Sequence, residues 1–254
     1  MLATTTSVRD AGLLEALLPQ FEHASGYRVK VIAVGSGQAM ELGRRGEADI
    51  LILHAPEQEQ RFVAEGYGTE RHPLMHNEFV VLGPTGDPAG ARGRDALAAL
   101  RAIAGTQSLF TSRADRSGTH VRERELWRLA GVAPDRPWYR ESGQGMSATL
   151  QIANELGAYT LCDVGTMLAH RYPLDLMVLV QRDTLLFNPY HVVLANPARF
   201  EWLNADGARA LRDYLLSADT QSRIAAFGVS EHGRPLFVPD GVSEGAVGRP
   251  PPRD

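Results

Sequence analysis

The sequence predicts an α/β fold of two lobes with mainly parallel sheets and a cleft between them. Three observations lead there. Short β-branched or apolar runs alternate with helically spaced runs along nearly the whole chain, the pattern of helices packed on parallel strands. Asp49 to Leu53 is short and almost wholly apolar, as expected of a strand buried on both faces. Glu78–Leu82 and Tyr190–Ala195 echo each other about 110 residues apart, and Gly83–Pro88 breaks the first sharply. They read as an outgoing and a returning crossing. Lobe I is then 1–82 with 191–240, and lobe II is 83–190. The segment 241–254, rich in Gly and Pro with little to bury, is expected to be a disordered tail.

Met1–Thr6 reads as a strand, Ser7–Asp10 as a turn, and Ala11–His23 as a helix with apolar residues at 13, 14, 17, 18 and 21. Tyr27–Val34 alternates as a strand, Gly35–Gly37 is a tight turn, and Gln38–Arg45 is a helix. The strand at 49–53 leads to a helix over Pro56–Glu65. In lobe II the helices are expected at 95–103, 121–129, 148–156 and 166–170, with strands at 108–111, 158–162 and 176–179. Trp138–Tyr139 is placed at a loop edge, and Leu185–Phe187 reads as a further short strand. After the return, helices are expected at 205–216 and 220–226.

Composition removes several function classes. The chain has 254 residues, 44% hydrophobic and 22% charged, which suits a globular protein. The net charge of −4 offers no basic field for nucleic acid. Lys30 is the only lysine, a bias that fits a GC-rich genome. Cys162 is the only cysteine, so there is neither an internal disulfide nor a cysteine metal cluster, and its apolar neighbours suit a structural residue. No apolar run reaches the roughly 18 residues a membrane helix needs. Met1–Ala3 runs directly into Thr4–Ser7 without a basic or apolar leader. The expectation is a cytosolic protein or one whose leader has been removed.

The stretch Ser112–His120 holds two arginines, two serines, a threonine and a glycine before a helix. Unpaired N–H groups at a helix start, with Arg beside them, can cradle an anion; an ordinary capped helix with solvated arginines suits the same residues. The same kind of residue recurs where Thr6–Ser7, Ser36–Gly37 and Gly145–Met146–Ser147 enter helices. With Ser117–Gly118–Thr119 they divide two and two between the lobes. Four such donor groups facing one cleft suit a fully ionised tetrahedral dianion, which only accepts hydrogen bonds, and Arg113 would add charge. Thr6, Ser7, Ser36, Gly37, Arg113, Ser117, Gly118, Thr119, Met146 and Ser147 are therefore the candidate ligand-binding residues.

Other motifs fail. Gly143–Ala148 fits G-x-G-x-x-A, but Arg140–Ser142 before it is too polar for the buried strand of a dinucleotide site. Gly35–Gly37 lacks the Lys-Ser/Thr of a phosphate loop. His120 and Glu123 share a helix face without a third metal ligand. Ser7, Ser36 and Ser117 lack the nucleophile elbow of a hydrolase. An enzyme is not expected, and neither a cofactor nor a catalytic residue is assigned.

Thr4–Thr5–Thr6–Ser7 with Gly12–Leu14, Ser112–Arg113–x–Asp115–x–Ser117–Gly118–Thr119–His120, Gly143–Met146, and Ala158–Leu161–x–Asp163 resemble the tungstate-binding proteins of ABC-type importers over about residues 3–240. The resemblance implies a type II periplasmic-binding-protein fold, two α/β lobes joined by two crossing strands with the oxyanion in the cleft. It implies that Thr6, Ser7, Ser36, Arg113, Ser117, Gly118, Thr119 and Ser147 hold the ligand. Relatives usually carry glycine where this chain has Ala114, and exported members carry a leader. The expected protein is a monomeric periplasmic or extracellular receptor for tungstate or molybdate. Its partners would be the oxyanion and the transporter permease, with no nucleic acid. A cytosolic oxyanion-sensing module of the same fold is the alternative. Either of Asp115 and Asp163 facing the site would weaken selection against protonated phosphate.

Overall fold

The computed structural model describes residues 1–241, so the expected tail, apart from Gly241, lies outside them. The chain opens with β1 (Leu2–Thr5), α1 (Thr6–Asp10), α2 (Leu13–Ser25), β2 (Val31–Val34), α3 (Ser36–Arg44), β3 (Ile50–Leu53) and α4 (Pro56–Ala64). It crosses on β4 (Gly68–Pro84) into α5 (Ala96–Gly105), β5 (Phe110–Ser112), α6 (Gly118–Leu129), β6 (Tyr139–Glu141), α7 (Met146–Leu156), β7 (Thr160–Asp163), α8 (Val164–Leu168) and β8 (Leu176–Val180). It returns on β9 (Phe187–Ala195) and ends in α9 (Ala205–Leu216), α10 (Ala218–Ala226), α11 (Val229–His232) and β10 (Val238–Pro239).

One lobe is built on the sheet order β10-β4-β9-β3-β1-β2. Only β2, β1 and β3 run parallel there; β9 is antiparallel to β3 and to β4. In the other lobe β7 and β8 both pair antiparallel with the far end of β4, while β5 runs parallel to β6 and bridges in parallel to Tyr159 just before β7. The sheets are thus mixed, not mainly parallel. The reason is the double crossing: β4 leaves and β9 returns in opposite directions, so each imposes antiparallel pairing on its neighbours.

Two other corrections are local. Ser7–Asp10 is helical, part of α1, because the turn that leaves β1 closes on itself as one short helix. Leu185–Phe187 is not a strand of its own: Thr184–Leu186 is a 3₁₀ turn capped by Asp183, and Phe187 opens β9. Tyr27–Lys30 stays outside β2. β4 runs for 17 residues, far beyond the five expected. Its first half is hidden in sequence by Glu70, Arg71, His72 and His76, whose side chains are at least partly exposed, and by Pro73, tolerated where the pairing slips next to it.

The alternation of each strand sends its residues into two layers. Ile50 and Ile52 pack with Leu14, Leu17 and Phe21 of α2 and Leu211 of α9, while Leu51 and Leu53 face Ala39, Met40 and Phe62 of α3 and α4. Past the crossing, Phe79 and Val81 meet Phe110, Trp127 and Leu100, and Val80 and Leu82 meet Met146, Leu150 and Cys162. Trp138, in the turn just before β6, packs into the former cluster, edge-on to Trp127. Each lobe therefore owns its core, and the carboxyl ends of β1, β2, β3 and β5 deliver the helix-opening turns.

Candidate functional site

Thr6, Ser36, Gly118 and Met146 are the first residues of α1, α3, α6 and α7. The initial N–H groups of a helix have no intrahelical acceptor and carry partial positive charge. The N-caps of α1, α3 and α7 (Thr5, Gly35 and Gly145) form no side-chain cap bond among the described residues. These turns lie together. A Cβ on Gly35 would stand 3.5 Å from Ser117 Cα, and one on Gly145 3.9 Å from Thr6 Oγ1.

Arg113 follows β5 and is only 1% exposed. Its guanidinium donates to Thr119 Oγ1 at 3.3 Å on α6, to Thr6 Oγ1 at 3.4 Å on α1, and to Asp115 Oδ2 at 2.5 Å. One cation thus reaches both lobes. Its Nε, together with the Oγ atoms of Ser7 and Ser36 and the Oγ1 of Thr5, is buried without a partner among the described residues. A buried polar group left unpaired costs about 1–3 kcal/mol. Such atoms, gathered at the starts of α1 and α3 and in the loop that enters α6, form a set of donors suited to an acceptor-only ligand.

The loop before α6 is tightly wound. Ala114 and Arg116 both have left-handed backbone, with φ of 50° and 60°. Asp115 Oδ1 accepts the Ser117 N–H at 3.1 Å while Oδ2 takes the Arg113 bond. Ser117 Oγ accepts the His120 N–H and caps α6, and His120 Nδ1 accepts the Arg116 N–H at 3.0 Å, tying the loop to the first turn of the helix. Burial holds the His120 imidazole below its ordinary pKa, which suits an acceptor nitrogen. Asp163 caps α8, taking the Thr166 N–H at 2.8 Å and its hydroxyl at 2.7 Å.

Of the expected residues, Thr6, Ser7, Ser36, Arg113, Ser117, Gly118 and Thr119 surround this locus, with Gly37 near Arg116 O. Two sit differently. The Met146 side chain packs in the core with Leu150 and Val80, leaving its backbone N–H as the group at the helix start. The Ser147 hydroxyl lies 3.4 Å from His170 Nδ1. Sequence reasoning missed Thr5, the capping role of His120 and the buried pair His54 and Asn188, bonded at 2.8 Å. His54 could have been found as the first residue after an apolar strand whose carboxyl end faces the cleft.

Residues 1–219 match the family model described as the PBP superfamily domain. The tungstate-binding protein TupA of Peptoclostridium acidaminophilum is 43% identical over 243 residues, covering 94% of this chain and 85% of that protein. The crystal structure described as the tungstate ABC transporter from Geobacter sulfurreducens is 44% identical, with a TM-score of 0.81 over 89% of this chain and 97% of that one. The tungstate-binding protein TupA from Desulfovibrio alaskensis G20 is 39% identical, with a TM-score of 0.80 over 95% and 98%. With the two crossing strands and the donor-lined locus between the lobes, these likenesses establish that the chain belongs to the PBP superfamily and, within it, to the family of the tungstate-binding proteins TupA.

Proposed function

We propose that the protein is a solute-binding receptor that captures tungstate, or molybdate, between its lobes and presents it to an ABC transporter permease. The observation that carries this reading is Arg113: a buried cation bonded to side chains of both lobes, beside hydroxyls whose only missing partner is an acceptor. Thr6, Ser7, Ser36, Ser117, Thr119 and the first N–H groups of α3, α6 and α7, those of Gly37, Gly118, Met146 and Ser147 included, surround the oxyanion and donate to it. No bond is made or broken in this role; the protein is a carrier, not a catalyst. Lobe I, residues 1–82 with 191–240, and lobe II, residues 83–190, swing on β4 and β9, and the closed form is the one the permease reads. The receptor acts as a monomer outside the cytoplasmic membrane. It meets the membrane through the transporter; among the described residues no helix is long and apolar enough to cross a membrane.

Donors alone select against phosphate. A tungstate dianion accepts at every oxygen, whereas phosphate near pH 7 keeps a proton that needs an acceptor. The two carboxylates nearby already take bonds, Asp115 from Arg113 and Ser117, and Asp163 from Thr166. Titration calorimetry against tungstate, molybdate, sulfate and phosphate tests the reading. Tungstate or molybdate is expected to bind well below 10 μM, and the other two far more weakly. Failure of all four to bind by about 10 μM, equivalent to about 7 kcal/mol, overturns it.

A further inference from the structure

Behind the anion-site turns, a second polar cluster links the crossing strands to the start of α6. His54 directly follows β3 and is 4% exposed. Its Nδ1 lies 2.8 Å from Asn188 Oδ1. An amide oxygen only accepts, so Nδ1 carries the proton and donates. Asn188 Nδ2 in turn donates to Asn77 Oδ1 at 2.7 Å and to the Tyr190 hydroxyl at 3.1 Å. Asn77 of β4 and Asn188 of β9 are direct cross-strand partners, at the place where the chain passes between lobes. The imidazole also stacks on Tyr190, with ring centres 4.7 Å apart and planes 14° from parallel. Its far edge meets Gly118: a Cβ there would fall 2.6 Å from both Cε1 and Nε2.

We infer that His54 is a positioning residue for anion capture, the surface of lobe I on which the first residue of α6 seats when the lobes close. Asn188 holds the ring where the crossing strands meet, so the ring sets how near the donors of Gly118 and Thr119 come to a ligand held by Thr6 and Ser7. Glycine at 118 is required by this approach and not by its backbone angle, because the space a Cβ needs is filled by the ring. Burial keeps the His54 imidazole below its ordinary pKa, in keeping with a neutral spacer. Removal of the ring should then make room for a larger residue at 118, a coupling across the cleft that a role confined to the folding of lobe I would not produce.

The inference rests on the receptor reading, and a double-mutant cycle separates the two. Tungstate affinity is measured for the wild type, Gly118→Ala, His54→Ala and the double variant, with melting of each in the absence of ligand. Gly118→Ala is expected to weaken binding at least about 50-fold in the wild-type background and less than about 3-fold once His54 is Ala, since only contacting sites couple strongly. His54→Ala alone should raise the dissociation rate about 10-fold, and His54→Gln, which can still donate to Asn188, should recover most of that loss. Equal losses from Gly118→Ala in both backgrounds overturn the inference while leaving the receptor intact. A wild type that binds no tungstate overturns the receptor reading and the inference together. Should Gly118→Ala fold poorly, Asn188→Ala paired with His54→Ala gives the same decision. Each should weaken binding alike and the double variant no more than either, whereas additive losses overturn the inference.

Discussion

Arg113 contributes its charge without facing water. Three acceptors, Thr6 Oγ1, Thr119 Oγ1 and Asp115 Oδ2, fix the plane of the guanidinium and leave Nε unpaired among the described residues. The fork is therefore oriented before any ligand arrives, and little rotamer entropy remains to be lost on binding. Arg113→Ala is expected to weaken tungstate binding by about 1.5–3 kcal/mol, roughly 12- to 160-fold, as for a hydrogen bond to a charged group. Calorimetry of the purified variant measures it; unchanged affinity would put Arg113 outside the site. At the next residue the loop carries a backbone cost that the sequence announces. Ala114 stands where the family resemblance implies glycine, and its φ of 50° is a conformation in which a Cβ costs about 1–2 kcal/mol. Arg116 adopts the same region with no comparable signal, because a charged residue in a loop looks the same in either conformation.

Elements were legible where their evidence is local. Strand, hydroxyl-rich turn and helix follow one another closely at α1, α3 and α6, so both the order of elements and most of the candidate site could be read from local sequence. What spacing cannot carry is pairing between distant segments. The antiparallel contacts of β4 with β7, β8 and β9 join residues about 80 to 125 positions apart, and they hold a strand whose first half is polar. The pairing of His54 with Asn188 was unreadable for the same reason: 134 residues separate them. Helix α6 also hides a titrating group. Glu123, one turn beyond Thr119, is 2% exposed and accepts a 2.6 Å bond from the Tyr139 hydroxyl. Burial raises its pKa from 4.5 to about 7, with the Tyr139 bond opposing. A carboxyl whose folded pKa lies above its unfolded one stabilises most below the unfolded value and loses that contribution as pH rises through the folded value. Wild-type stability should thus fall between about pH 4.5 and 7 relative to Glu123→Gln, by up to about 3 kcal/mol at roughly 1.4 kcal/mol per pK unit. Denaturant melts of both proteins across that range measure the difference, and parallel pH profiles would contradict it.

At the scale of the molecule, the two lobes have separate cores and meet through β4, β9 and the donor-lined locus between them. The cluster of Leu14, Phe21, Ile52 and Leu211 shares no residue with that of Phe110, Trp127 and Leu100. Lobes with separate cores joined through crossing strands can open one without the other. In the proposed receptor, an anion held by α1 and α3 on one side and by Arg113, α6 and α7 on the other would be lost when either lobe unfolds, so its binding free energy would support both. Ligand at about 1,000 times its dissociation constant adds about 4 kcal/mol to the folded state. For a protein of this length each kcal/mol moves the melting temperature by about 2–4 °C, so saturating tungstate should raise it by about 8–16 °C. Calorimetric melting should also sharpen into a single transition as the lobes become linked. Sulfate at the same concentration should leave the profile nearly unchanged. A rise confined to one of two resolved transitions would mean that the anion binds one lobe alone, and the bridging geometry of Arg113 would then have no energetic counterpart.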